Sequence, residues 1–218
     1  MGRPPRHSRD ELVGAAIGAF TDHGYAGLDV VALCDALGIG RSSFYHGFGD
    51  KDALFDEALR AYTAAGAAAR ERYRDSAAPA PRLLHHRLTS QLLAQYADEN
   101  RRGCLVVNTA LELGRSIERY ARIIDADREG WVELYAELIA RGQRQRHLRA
   151  ELDPRVSAGL LHTAMAGLRV TARIAPEAQI VEQIDALITG WCTPSGSTTL
   201  TVGNDGHLLL EDPERTVR

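Results

Sequence analysis

The run from Val30 to His46 is the part of this 218-residue chain that most narrows what it can fold into. Val30, Val31, Leu33, Cys34 and Leu37 recur at helical spacing, so one face of a short helix is apolar. Asp29 stands where a side-chain oxygen would cap the first turn. Gly38 can take the left-handed backbone that ends a helix, because it has no Cβ to clash. Ile39 packs inward at the turn, Gly40 lets the chain rise again, and Phe44 anchors a second helix. Arg41, Ser42, Ser43, Tyr45 and His46 are then left on or near the outer face of that helix. In a major groove such a face can offer guanine a bidentate arginine, and bases or phosphates a row of hydroxyls. The helix N-terminus adds a partial positive charge for a phosphate. The pattern predicts a helix-turn-helix behind an N-terminal arm carrying Arg3 and Arg6, and it points to a chain that reads duplex DNA.

Residues from about Ser8 to Leu59 resemble the DNA-binding domain of TetR-family transcriptional regulators. The matching pieces are Ala15-Ala16-Ile17 through Phe20, His23-Gly24-Tyr25, Leu37-Gly38-Ile39-Gly40, and the run from Phe44-Tyr45-His46 through Gly49-Asp50-Lys51 to Phe55. Carried over by position, the resemblance implies that Arg41, Ser42, Ser43 and Tyr45 face bases and phosphates. It also implies that Lys51, opening the fourth helix, holds a phosphate. Two departures stand out. Leu28-Asp29 lie where the family often has Thr or Ser touching a phosphate, and Gly47 replaces a common polar residue.

Charge sets the style of DNA binding. Residues 1–50 carry four arginines against six acids, net −2, so the positive charge is concentrated in the arm and on one helix. Few phosphate contacts predict a shallow salt slope, roughly 0.9 decades of affinity per decade of salt for each contact. The whole chain is net −3, which argues against bulk coating of nucleic acid or membranes. No apolar run approaches a membrane span and the N-terminus lacks a signal-peptide core, so a cytoplasmic protein is expected. Cys34, Cys104 and Cys192 make an odd count with no CxxC spacing, and the histidines are scattered. Neither a disulfide framework, a metal site nor a cofactor is predicted. No Ser-His-Asp order, nucleotide loop or paired-carboxylate motif is present, so an enzyme is not expected.

The remainder reads as helical almost to its end, giving an all-α chain of about nine helices. Three domains are expected: a helix-turn-helix domain over 1–50, a helical ligand-binding and dimerisation domain over 51–192, and a tail or small hairpin over 193–218. The first helix is predicted over Arg9 to His23, the fourth from Asp50 to near Tyr73, and the fifth to about Glu99. A short helix from Gly103 to Leu113 and a long one from Ser116 to about His147 follow. Asp153-Pro154 and Pro176 open the last two by capping and N1 proline. Thr198 to Val202 and His207 to Glu211 flank a Gly-Asn-Asp-Gly turn, the pattern of a hairpin.

Two faces of the second domain invite function. Leu160, Ala164, Gly167 and Thr171 form one small-residue stripe, and Ile180, Ile184, Leu187, Ile188 and Trp191 form another. The resemblance implies a homodimer built as a four-helix bundle from two such pairs. Polar groups on otherwise apolar faces mark a pocket for a small, mostly apolar ligand: Tyr62, Gln95, Tyr96, Cys104, Asn108, Trp131, Tyr135, His162, Met165 and Arg169. The family mechanism implied is a repressor that leaves its operator when the ligand binds. The segment Arg102 to Asn108 also resembles a sub-group of these regulators with Gly-Cys-x-x-x-Asn opening the sixth helix. Cys104, at a helix N-terminus behind Arg101 and Arg102, therefore supports an alternative: a thiol that senses oxidants or electrophiles.

Overall fold

Helix starts follow the capping residues. The structure, a computed structural model, describes residues 7–201. Ser8 opens α1 (Arg9–His23) with a capping box: its hydroxyl accepts the Glu11 N–H at 3.2 Å, and the Glu11 carboxylate accepts the Ser8 N–H at 2.7 Å. Asp29 caps α2 (Val30–Leu37) through the Ala32 N–H at 2.8 Å. α2 ends at Gly38, whose φ of 65° is left-handed. α3 (Arg41–Phe48) and α4 (Lys51–Asp75) follow, with Asp50 accepting the Ala53 N–H at 2.7 Å. Then come α5 (Ala80–Ala97), α6 (Leu105–Leu113), α7 (Glu118–Arg144), α8 (Pro154–Thr171) and α9 (Glu177–Trp191). Asp153 caps α8 with Pro154 in its first turn, as the sequence predicts. The fold is all-α: among the described residues there is no strand, only one isolated bridge between Leu148 and Cys192. No helix among them is long and apolar enough to cross a membrane.

A tenth helix, α10 (Pro194–Thr201), replaces the start of the tail or hairpin expected over 193–218. The Thr193 hydroxyl accepts the Gly196 N–H at 3.1 Å, so Thr193-Pro194 is a cap followed by N1 proline. The second arm of the expected hairpin lies outside the described residues.

The chain divides into two compact units. Among the described residues the first comprises 7–66 and 102–126, the second 67–101 and 127–201. The first unit therefore includes α6 and the start of α7, which chain order alone grouped with the second domain. Its core is aromatic: the Phe20 and Phe55 rings meet edge-on at 4.8 Å, as do Phe55 and Tyr120, with Leu33, Leu37, Phe44, Leu54 and Leu59 around them. The second unit packs Leu83, Leu84, Leu88 and Leu92 of α5 against Leu134, Leu138 and Ile139 of α7 and Leu161 and Leu168 of α8.

Helix α9 corrects one expectation. Ile184 and Ile188 are fully buried within the chain, together with Ile180, where α9 packs on α5. Leu187 and Trp191 pack against the same core. An apolar stripe shows that a helix face is covered but not by what, and here the cover is intramolecular. These two isoleucines are therefore not available to a second copy.

Candidate nucleic-acid interface

Helix α3 is two-sided. Phe44 is 0% exposed and Phe48 is buried, while Arg41, Ser42, Ser43, His46 and Gly47 are exposed and Tyr45 is 53% exposed. The buried rings lie 5.9 Å apart and hold the helix down, so the opposite face is a fixed row of donors. Gly40 supplies no capping side chain, so the first backbone N–H groups of α3 stand uncapped beside the two serine hydroxyls. An uncapped helix start carrying Arg41 suits a phosphate and the base edges beyond it. Arg3 and Arg6 lie outside the described residues.

Other residues hold this helix in place. Arg9 bridges to Glu57 through two contacts of 2.6 Å, donates to the Gly47 carbonyl at 3.0 Å, and lies over the Phe48 ring. Its side chain is over half exposed, so the ion pair contributes about 0–1 kcal/mol and mainly sets geometry. Lys51, expected on a phosphate, donates instead to the Tyr25 and Leu28 carbonyls at 3.1 and 2.9 Å, over the Tyr25 ring. Only one of its three donors is left for a phosphate. The Tyr25 hydroxyl bonds Asp52, which also pairs with Arg119 at 2.8 Å. Those bonds, the tyrosine's first, hold the Asp52 carboxyl below its ordinary range, while burial beside that carboxylate pushes the Tyr25 phenol well up.

The loop between α1 and α2 is gripped by α6. Glu112 accepts the Tyr25 and Ala26 N–H groups at 2.7 and 2.6 Å, Asn108 donates to the Thr21 carbonyl at 3.0 Å, and Arg102 pairs with Asp22 at 2.8 Å. Sequence reading missed Glu112, since nothing local marks it. Gly24 permits this grip: its φ of 73° with ψ of 177° suits only glycine, and a Cβ there would stand 2.6 Å from a Glu112 carboxylate oxygen. Gly24→Ala is expected to cost about 1–3 kcal/mol from the backbone alone. Urea denaturation followed by circular dichroism measures it, and an unchanged midpoint would show that the loop relaxes freely.

The candidate ligand residues fall into both units. Tyr62, Cys104 and Asn108 belong to the first, where the Tyr62 hydroxyl meets the Cys104 sulfur at 3.4 Å and Asn108 is engaged by Thr21. Cys104 is half-buried, whereas Cys34 and Cys192 are buried, and burial pushes both of those thiols up. The basic neighbours invoked for Cys104 are engaged elsewhere: Arg102 by Asp22, and Arg101 by the Ala172 and Ala175 carbonyls. Tyr96, Trp131, Tyr135, His162, Met165 and Arg169 belong to the second unit. Tyr96 donates to the Ala175 carbonyl at 2.9 Å. Trp131 and Tyr135 lie ring to ring at 6.0 Å, and burial pushes the Tyr135 phenol up.

Burial holds the His162 imidazole below its ordinary 6.5, with Asp127 pulling it up and Arg128 and Arg87 pushing it down. The folded state thus prefers the neutral ring, while the unfolded chain takes a proton near pH 6.5. This histidine's contribution to stability is complete above pH 6.5 and is lost as the pH falls through the lower folded value. His162→Gln is expected to flatten the loss of stability on the acid side, measured by urea denaturation across that range. An unaltered pH dependence would assign the loss to other groups.

A buried three-helix head with a fixed, donor-rich α3 face defines a helix-turn-helix DNA-binding protein. Residues 12–58 match the family described as bacterial regulatory proteins, tetR family, and residues 79–188 match the tetracyclin repressor-like C-terminal domain. The chain belongs to the TetR family of DNA-binding transcription regulators. The TetR-family regulator CifR, solved as a cysteine mutant with 26-base-pair operator DNA, is 30% identical with a TM-score of 0.75, over 87% of this chain and 100% of that one. A regulatory protein TetR from Rhodobacter sphaeroides shares the fold at 21% identity and a TM-score of 0.76, over 84% of this chain and 98% of that one. The transcriptional repressor AcnR of Corynebacterium glutamicum is 43% identical over 54 residues, which is 25% of this chain and 29% of AcnR.

Proposed function

We propose that the chain is a homodimeric repressor that reads a two-fold operator through α3 and leaves it when a small, mostly apolar molecule binds the second unit. The observation that carries the DNA-reading step is the exposed row Arg41, Ser42, Ser43, Tyr45 and His46 standing over the buried anchors Phe44 and Phe48. Lys51, Arg3 and Arg6 are assigned supporting phosphate contacts. The solved complex of CifR with its operator DNA supports the assignment.

Helix α8 supports the dimer. Leu160 is 62% exposed and Gly167 is exposed, with Ala164 half-buried between them. Val156 and Val170 extend the same face at three- and four-residue intervals, and Ile174, 87% exposed, follows in the turn just past the helix end. A face this apolar is better covered by a second copy than by water. Leu187 and Trp191 on α9 are half-buried and pack against the core of the second unit. Two heads are also what an operator requires, because recognition helices must reach major grooves about 34–36 Å apart or farther.

Enrichment of bound sequences from random duplex DNA tests the reading. An inverted repeat with half-sites at that spacing is the expected result. Failure to enrich any sequence overturns it. A second reading, release from DNA by modification of Cys104, has one observation in its favour: this is the cysteine of the three that is not buried, and it meets a tyrosine hydroxyl. Release by oxidant that persists in Cys104→Ser removes that reading.

A further inference from the structure

The interior of the second unit holds a positive charge that no described residue balances. Arg87, on α5, is 8% exposed, and its Nε has no hydrogen-bond partner. Among the described residues no carboxylate pairs with it. Its guanidinium lies 3.8 Å from the centre of the Trp131 ring and beside the Tyr135 hydroxyl. Asp127, the nearby acid, is already held by Arg70 at 2.9 Å, with both of those side chains nearly buried. From α8 the buried Arg169 also acts on Tyr135. Gln95, buried in the same unit, donates to the Arg169 carbonyl at 2.9 Å and keeps an Oε1 without a partner.

A buried guanidinium without a counter-charge is among the most costly groups a fold can retain. Stacking on Trp131 offsets part of that cost but leaves the Nε–H unbonded. What completes the site is an acceptor that is planar and singly charged, since two carboxylate oxygens match the guanidinium fork. Trp131, Tyr135 and Met165 give the surroundings an apolar character that suits an organic remainder and not a hydrated inorganic ion. His162, which feels the charges of Asp127 and Arg87, is only partly buried.

We propose that this cluster is the effector site and that the effector is a small organic carboxylate, held by the Nε–H side of Arg87 with its apolar part against Trp131 and Met165. The proposal rests on the ligand-responsive reading above and names the chemical class of the ligand. Isothermal titration calorimetry on the full-length protein tests it, with benzoate and octanoate as probes. Benzamide and octanamide are the neutral counterparts, and inorganic phosphate is the control anion.

The expected result is saturable binding of at least one acid, at least about tenfold tighter than its amide and than phosphate. In Arg87→Met that preference disappears, and the ligand-free variant melts higher than the parent because an unbalanced buried charge is gone. A structural role for Arg87 predicts the reverse change in melting temperature. Equal affinity for acids and amides overturns the proposal, as do tighter binding of phosphate, no binding of either acid, or an acid preference that survives in Arg87→Met. If that variant does not fold, the acid-against-amide comparison on the parent decides. An acid that binds but leaves the protein on its DNA sustains the site and defeats the release mechanism, so the two failures are separable.

Discussion

Arg41→Ala weakens binding to the enriched operator by about ten- to a hundredfold, the loss of one bidentate base contact worth about 1–3 kcal/mol, without moving the melting temperature. Arg41 is the first residue of α3, exposed, on a helix start with no side-chain cap. It contributes nothing to the core, so its removal should leave the head intact. Fluorescence anisotropy at one fixed salt concentration, on operator and on random duplex, separates the possibilities. A loss confined to the operator marks a base reader. An equal loss on both duplexes, with a salt slope shallower by about one, marks a phosphate contact. Unchanged affinity for the operator would overturn the placement of α3 in the groove.

Phe44→Ala, three residues away, has the opposite signature. The ring is 0% exposed and meets Phe48 at 5.9 Å and Tyr45 at 5.6 Å, so truncation leaves a cavity beneath the reading face. The expected cost is about 3–5 kcal/mol. That is a large share of the roughly 5–15 kcal/mol that stabilises a typical domain. Urea denaturation by circular dichroism should show a clear fall in midpoint, and operator binding should be lost with the fold of the head. A cost below about 1 kcal/mol would mean that α3 is not anchored through Phe44. One short helix thus carries a residue whose loss silences recognition and another whose loss dissolves the scaffold.

Local chemistry was legible wherever a signal and its consequence lie within a few residues. Ser8, Asp29 and Asp153-Pro154 mark helix starts because a cap bonds N–H groups in the turn it opens. Gly38 marks an end because only a left-handed residue fits there. Thr193-Pro194 is the same kind of start as Asp153-Pro154, yet the threonine run behind it resembled a strand. The outer face of α3 was readable for a similar reason, since Phe44 fixes which way its neighbours point.

Ile184 and Ile188 mark where such reading stops. Periodicity identifies a buried face, but α5, nearly a hundred residues earlier in the chain, is what covers it. Glu112 and Arg87 looked like any other charged residues in an arginine-rich chain. Folding placed the first over Gly24, 88 positions away, and the second inside a core where Asp127 was already engaged by Arg70. The helices, their caps and the outward side of α3 follow from the chain's own residue order, because those depend on contacts within one or two turns. Which apolar stripe remains exposed, and which buried charge no described residue balances, emerged only on folding, because both depend on what distant segments have already covered.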